Sequence, residues 1–203
     1  MFASLLQSLL ELDAYLFFIL NYEAQNVVLD FLMPVLTNLD YWRIPIGLLA
    51  VSLLIFGKKR GRVAVLLLIL GITLSDQMCN NVLKPLVGRV RPCHVLDDVH
   101  LLINCTHSFS FPSSHATNIF TGMIIFSFVY PRLRIGLLII AALVAYSRVY
   151  VGVHYPFDVL AGTALGVACA ITIITIYRIL SGVLSGIRYA EKTGKNRSQA
   201  RSG

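Results

Sequence analysis

Charge is scarce in this chain: 13% of its 203 residues are Asp, Glu, Lys or Arg, while 57% are hydrophobic and the mean hydropathy is +0.75. Soluble domains carry roughly a quarter charged residues, so that class is excluded and an integral membrane protein is indicated. Basic residues are missing from the start, with no Lys or Arg before Arg43, and no A-x-A pattern follows the first apolar run. The N-terminus is therefore not read as a secretory signal peptide. Linkers, Gln/Asn tracts and internal repeats are also lacking. That leaves one membrane domain over 1–186 and a basic stretch, 187–203, read as a disordered tail.

What the sequence does have is apolar runs of membrane-spanning length. Those at 42–56, 63–83, 116–130, 135–151 and 159–180 predict five transmembrane helices in an all-α polytopic bundle. Residues 1–40 are a separate case. Ser4, Gln7, Ser8, Glu11 and Tyr15 recur at helical spacing among Leu and Phe, which predicts an amphipathic helix at the interface or a sixth helix. The segment 27–39, with Asp30 and Pro34, either completes a first crossing or packs at the surface.

Basic clusters set an orientation. Lys58, Lys59, Arg60 and Arg62 lie between the first and second spans, Arg132 and Arg134 between the third and fourth, and five more Lys/Arg follow the last. The positive-inside rule makes these ends cytoplasmic. By alternation the loop 80–112, the hairpin "SRVYVGVHYPFD" (147–158) and residues 1–40 fall on the far face, which is periplasmic or extracellular if this is the inner (cell) membrane. Lys84, Arg89, Arg91, Ser113, Ser114, His115, Arg148, His154 and Asp158 then converge on that face. Cations where the rule disfavours them suggest an anionic ligand. An isolated Arg43 is read as snorkelling to headgroups.

Each group suits a phosphate. Arg91 and Arg148 offer planar forks and Lys84 a point charge. "FPSSHATN" starts a helix whose N-terminus, with Ser113 and Ser114, is an anion site, and His115 stands just inside it. His154 and Asp158, four apart, are within reach if "YPFD" opens the last helix. A carboxylate on one imidazole nitrogen leaves the other free to attack.

"KPLVGRVRP" (84–92), "PSSH" (112–115) and "SRVYVGVHYPFD" (147–158) resemble the three signature blocks of the type 2 phosphatidic acid phosphatase (PAP2) family: K-x6-R-P, P-S-x-H and S-R-x5-H-x3-D. The resemblance runs from about residue 30 to 180. It implies a lipid phosphatase in which His154 is a nucleophile forming a phosphohistidine, Asp158 orients it, and His115 protonates the leaving oxygen. Lys84, Arg91, Ser113, Ser114 and Arg148 would bind the phosphoryl group. No metal or cofactor is implied, and the partners are a lipid phosphate and the bilayer, not nucleic acid. Oligomeric state is left open. So are the lipid (phosphatidylglycerol phosphate, phosphatidic acid, polyprenyl diphosphate or lipid A) and two rival roles, lipid-to-lipid phosphotransfer and non-catalytic lipid-phosphate binding. The family's polyprenyl diphosphatases often carry an acid where Ser114 stands, which weakens that branch.

Other polar residues have plainer readings. Asp76, Asn80 and Lys84 share a helix face, so Asp76 either positions Lys84 or pairs with a neighbouring helix. His94, His100 and His107 match no zinc spacing and are read as loop histidines. Gly162 and Gly166 predict close helix packing. Cys79 and Cys169 lie within spans as apolar fillers, whereas Cys93 and Cys105 flank the far-side loop, where a disulfide is expected.

Overall fold

The computed structural model describes the backbone of residues 2–202 and the side chains of 4–183. The basic tail 187–203 lies outside the residues whose side chains are described. Among the described residues all regular secondary structure is helical: α1 (Phe2–Phe18), α2 (Val27–Thr37), α3 (Leu39–Phe56), α4 (Lys58–Gln77), α5 (Lys84–Val87), α6 (Ser114–Val129), α7 (Arg134–Tyr150) and α8 (Pro156–Ser202). A π-helical segment, Ile19–Glu23, extends α1, and another, Met78–Leu83, joins α4 to α5. Helices α3, α4, α7 and α8 are long and apolar enough to cross a membrane. The shorter α6 is the centre of the bundle, packed against α4, α7 and α8.

Lipid tails are as apolar as Leu, so hydrophobicity alone does not drive these helices together, and small residues that allow close approach do much of the work. Gly162 and Gly166 of α8 face α6, where an added Cβ would overlap the Ser113 and Thr117 carbonyls. At the same seam Thr121 Oγ1 donates to the Thr117 carbonyl at 2.8 Å and approaches that of Gly166 at 3.1 Å. Farther along, Ala64 and Leu67 of α4, Ile125 and Val129 of α6, and Ala170 and Ile174 of α8 form a dry cluster. Several hydroxyls inside the bundle bond back along their own helix, as Thr117 Oγ1 does to Ser113 O at 2.9 Å, which keeps those donors paired in apolar surroundings.

Helix α1 has the length and composition of a span, but its contacts run crosswise. On successive turns of one face Asp13, Phe17 and Asn21 meet the backbone N–H of Phe157, the ring of Tyr155 and the carbonyl of Tyr150. From Asp13 to Asn21 is eight rises, roughly 12 Å of helix, and all three partners sit at the α7–α8 hairpin. The helix therefore lies over one end of the bundle, with Leu5, Leu6, Leu9 and Leu10 exposed, as an interfacial amphipathic helix would. Helix α2, capped by Asn26 Oδ1 accepting from Leu29 N at 2.9 Å, packs Met33 against Tyr150, Val151 and Val153 at the same end.

Candidate active site

Four breaks in helical structure gather at this end. Gly88, in the left-handed region at φ +64, stops α5 with its N–H on the Lys84 carbonyl at 2.9 Å. The chain then runs extended through Arg89–Arg91, and Ser110 N returns to the Arg89 carbonyl at 2.8 Å. Ser113 caps α6, its Oγ accepting from Ala116 N, and its own N–H donates to the Asp158 carbonyl at 2.9 Å. That bond ties the start of α6 to the first turn of α8. Pro156 opens α8, where its missing N–H costs nothing.

Three buried cations converge here. Arg91 donates from Nε to Ser108 O at 2.8 Å and from Nη2 to Ser108 Oγ at 3.0 Å, while Nη1 reaches Val153 O at 3.0 Å and His154 Nε2 at 3.1 Å. Lys84 Nζ donates to Phe109 O at 2.9 Å. Arg148 Nη1 donates to Thr37 Oγ1, and its Nε is buried without a hydrogen-bond partner. An unpaired buried guanidinium N–H is costly unless an anion meets it.

The histidine tautomer follows from the donors around it. Arg91 can only donate, so His154 Nε2 must present a lone pair, and the proton sits on Nδ1. Nδ1 lies 3.4 Å from Asp158 Oδ2, an ion-pair approach too poorly aligned to count as a hydrogen bond. Burial first, then Arg148, Arg91 and Lys84, push the His154 pKa well below 6.5. A neutral imidazole with Nε2 facing cations is the form a nucleophile requires. His115, in the first turn of α6, shares the electrostatic surroundings of His154, Arg148, Lys84 and Arg91. Its first-turn N–H and that of Ser114 precede any intrahelical acceptor and are free to meet an anion.

Several contacts were not foreseen from sequence. Ser114 Oγ donates to Asn80 Oδ1 at 2.7 Å, so towards a phosphate Ser114 offers its backbone N–H and not its hydroxyl. Of the two readings of Asp76, the pairing with a neighbouring helix holds: a π-helical turn separates it from Lys84, and Asp76 Oδ1 accepts from Asn80 and from Asn118 of α6 at 2.8 and 3.0 Å. Ser75 Oγ completes this ladder on Asn118 Oδ1 at 2.7 Å. Arg89 Nη1 lies 2.8 Å from Asp158 Oδ1 and 2.7 Å from Asp13 Oδ2, with its guanidinium 3.9 Å over the Tyr155 ring. The signal for Asp13 was a stripe at 13, 17 and 21, all fully buried.

The far-side loop is braced. Cys93 and Cys105 are bonded to each other, with Cα atoms 6.5 Å apart. His94 and His107 stack at 5.0 Å, and His100 Nε2 pairs with Asp30 Oδ1 at 2.8 Å. Cys93, His94 and Cys105 cluster closely enough for a metal, but both sulfurs are committed to the disulfide. Arg43, for its part, meets exposed Asp40 at 3.0 Å.

The family profile described as the PAP2 superfamily matches residues 64–181. The chain belongs to that superfamily. It is 37% identical over 147 residues to lipid A 4'-phosphatase of Bacteroides thetaiotaomicron, covering 68% of this chain and 64% of that protein. It is also 37% identical over 156 residues to an undecaprenyl-diphosphatase of Sulfolobus acidocaldarius, covering 74% and 71%. It thus spans just under two thirds of the first of these relatives. Among solved structures, Aquifex aeolicus LpxE superposes with a TM-score of 0.67 at 30% identity, covering 81% of this chain and 95% of that one. The PAP2 type phosphatidylglycerolphosphate phosphatase of Bacillus subtilis gives 0.65 at 25% identity, covering 84% and 87%.

Proposed function

We propose that this PAP2 superfamily protein is a membrane lipid phosphatase that hydrolyses a phosphomonoester or diphosphate on a lipid through a phosphohistidine. One observation carries the reading: His154 Nε2 turns its lone pair to the phosphate-binding fork of Arg91 at 3.1 Å, Arg148 with its unpaired Nε weighs electrostatically on the same ring, and Asp158 lies behind the other nitrogen. Nε2 attacks phosphorus, the bond to the leaving oxygen breaks, and His115 gives that oxygen its proton. Asp158 offsets the positive charge on the phosphorylated imidazole. Water then attacks the phosphoryl group, His115 takes its proton, and phosphate departs to restore His154. Lys84, Arg91, Arg148, the Ser113 hydroxyl and the α6 N-terminus stabilise the phosphoryl oxygens, so no step needs a metal.

An apolar groove supports a lipid substrate. It encloses about 580 Å³ among α3, α4 and α6, lined by Ile46, Leu49, Leu68, Ile72, Ile119 and Met123. Asn118 also borders it, one helical turn from Ser114, so a tail in the groove and a phosphate at His154 can belong to one molecule. The site lies at the end of the bundle opposite Lys58–Arg62 and Arg132–Arg134, and the positive-inside rule applied to those clusters supports a site on the outer face of the cell membrane and a cytoplasmic C-terminus.

The test is phosphate release from purified lipid phosphates in detergent with EDTA, alongside an acid quench of a substrate labelled in its phosphate. An acid-labile, base-stable adduct absent from His154→Ala is expected. A strict divalent-ion requirement without an adduct would refute the mechanism. Transfer of label to an added lipid acceptor in preference to water would turn it into a phosphotransferase.

A further inference from the structure

The N-terminal helix reaches into the machinery at one point. Asp13 is fully buried, and its two oxygens do different things. Oδ1 accepts from Phe157 N at 2.8 Å, capping the first turn of α8 from outside that helix. Oδ2 pairs with Arg89 Nη1 at 2.7 Å, and the same nitrogen donates to Asp158 Oδ1, 2.8 Å away. Arg89 is thus a cation between two buried carboxylates, held flat on Tyr155. Asp158 keeps its second oxygen for Tyr155 N, at 2.9 Å, and for His154.

Resting on the phosphohistidine reading above, we infer that Asp13 is a positioning residue for the reaction, balancing Arg89 so that Asp158 keeps both its orientation and its charge towards His154. Arg89 alone would fix Asp158 but would also cancel the negative field that the phosphorylated imidazole needs. Asp13 supplies the offsetting charge and simultaneously holds the first turn of α8, which starts at Pro156, two residues after His154 and two before Asp158. The crosswise α1 is then part of the active site and not only a membrane anchor. It touches neither substrate nor phosphate, so its effect belongs on the chemical step and not on binding.

The experiment compares wild type with Asp13→Asn, whose amide oxygen can still cap Phe157 while the charge is gone. The expected result is a kcat lowered by about 10- to 100-fold with KM and affinity for vanadate, a phosphoryl mimic, within about threefold. The rate of phosphohistidine formation should fall in step with kcat. Arg89→Lys, which keeps the charge but cannot be shared in the same geometry, should show the same split and serves if Asp13→Asn is not recovered folded. A double variant should lose no more than Arg89→Lys alone, because both changes act through one arrangement. A kcat within twofold of wild type overturns the inference. So does a parallel loss of vanadate affinity and kcat, which is what mere disruption of the helix packing would cause. If wild type itself forms no adduct, the mechanism fails first, while the contrast between vanadate affinity and turnover still reads the role of Asp13.

Discussion

Replacing Asp158 by Asn changes two atoms and inverts the hydrogen-bond logic around His154. Arg89 Nη1 donates to one carboxylate oxygen at 2.8 Å, while Tyr155 N donates to the other at 2.9 Å and His154 Nδ1 approaches that same oxygen at 3.4 Å. An asparagine has one acceptor oxygen and one NH2, so at least one donor must then face a donor. With the amide oxygen kept on the charged Arg89, the NH2 takes the second position and faces both Tyr155 N and Nδ1. The imidazole relieves the clash by moving its proton to Nε2, the nitrogen that must attack. The positive charge on the phosphorylated ring also loses its counter-charge.

The same exchange behind a catalytic histidine in serine proteases lowers kcat by about 10⁴ through the wrong tautomer. At 1.36 kcal/mol per decade, a loss of about three to four decades here corresponds to roughly 4–5.5 kcal/mol of transition-state stabilisation. The phosphate pocket itself is untouched, since Lys84, Arg91 and Arg148 draw their positions from Phe109, Ser108, Val153 and Thr37. Single-turnover mixing with a lipid phosphate should therefore show normal binding and a phosphohistidine that forms about 10³-fold or more slowly. A variant within tenfold of wild-type kcat, with full adduct yield, would refute the tautomer argument and remove Asp158 from the chemistry.

His115→Ala should slow release of a lipid alkoxide far more than release of p-nitrophenolate, by about 10²-fold or more, because only the poor leaving group needs a proton; equal losses on both substrates would exclude His115 as the acid. For pH, the depressed His154 pKa means the folded protein takes up its proton well below 6.5 while the unfolded chain does so near 6.5. Its contribution to stability is thus constant above pH 6.5 and is lost as pH falls below it, so Tm should drop more steeply between pH 6.5 and 5 in wild type than in His154→Gln. Single cysteines placed in the 58–62 and 132–134 loops, in a background without native thiols, should resist an impermeant reagent on intact cells while one at Asp97 reacts; the opposite pattern would put the site in the cytoplasm. Replacing Cys93 and Cys105 together by Ser should cost up to about 3 kcal/mol of stability, read as a lowered Tm.

The spans were legible because they rest on long, one-dimensional runs of apolar residues, and α3, α4, α6, α7 and α8 each overlie one of the five runs, although α8 continues past residue 180 to Ser202. The motif residues were legible as types at fixed spacing, and the structure brings Lys84, Arg91, Ser113, His115, Arg148, His154 and Asp158 to one end of the bundle. What spacing could not show is which atoms are already engaged. Nothing in "PSSH" says that the Ser114 hydroxyl belongs to Asn80, since that depends on how α4 and α6 meet. The Asp76–Asn80–Lys84 face assumed an unbroken α-helix, and a π-helical turn has no reliable signature in a single sequence.

Asp13 is hidden from the sequence pattern for a different physical reason. The polar residues Ser4, Gln7, Ser8, Glu11 and Tyr15 mark the exposed face of α1, and amphipathicity reports only that face. A carboxylate in the middle of "LLELDAYLFF" is expensive wherever its surroundings are apolar, so it requires a partner, and the partner must be a cation at the same depth. Arg43 aside, Arg89 is the far-side cation that the three motif blocks do not fix. Pairing this acid with this base is enough to bring α1 onto the site. The same reasoning favours reading a buried ionisable residue outside a family's motifs as the support for one inside them.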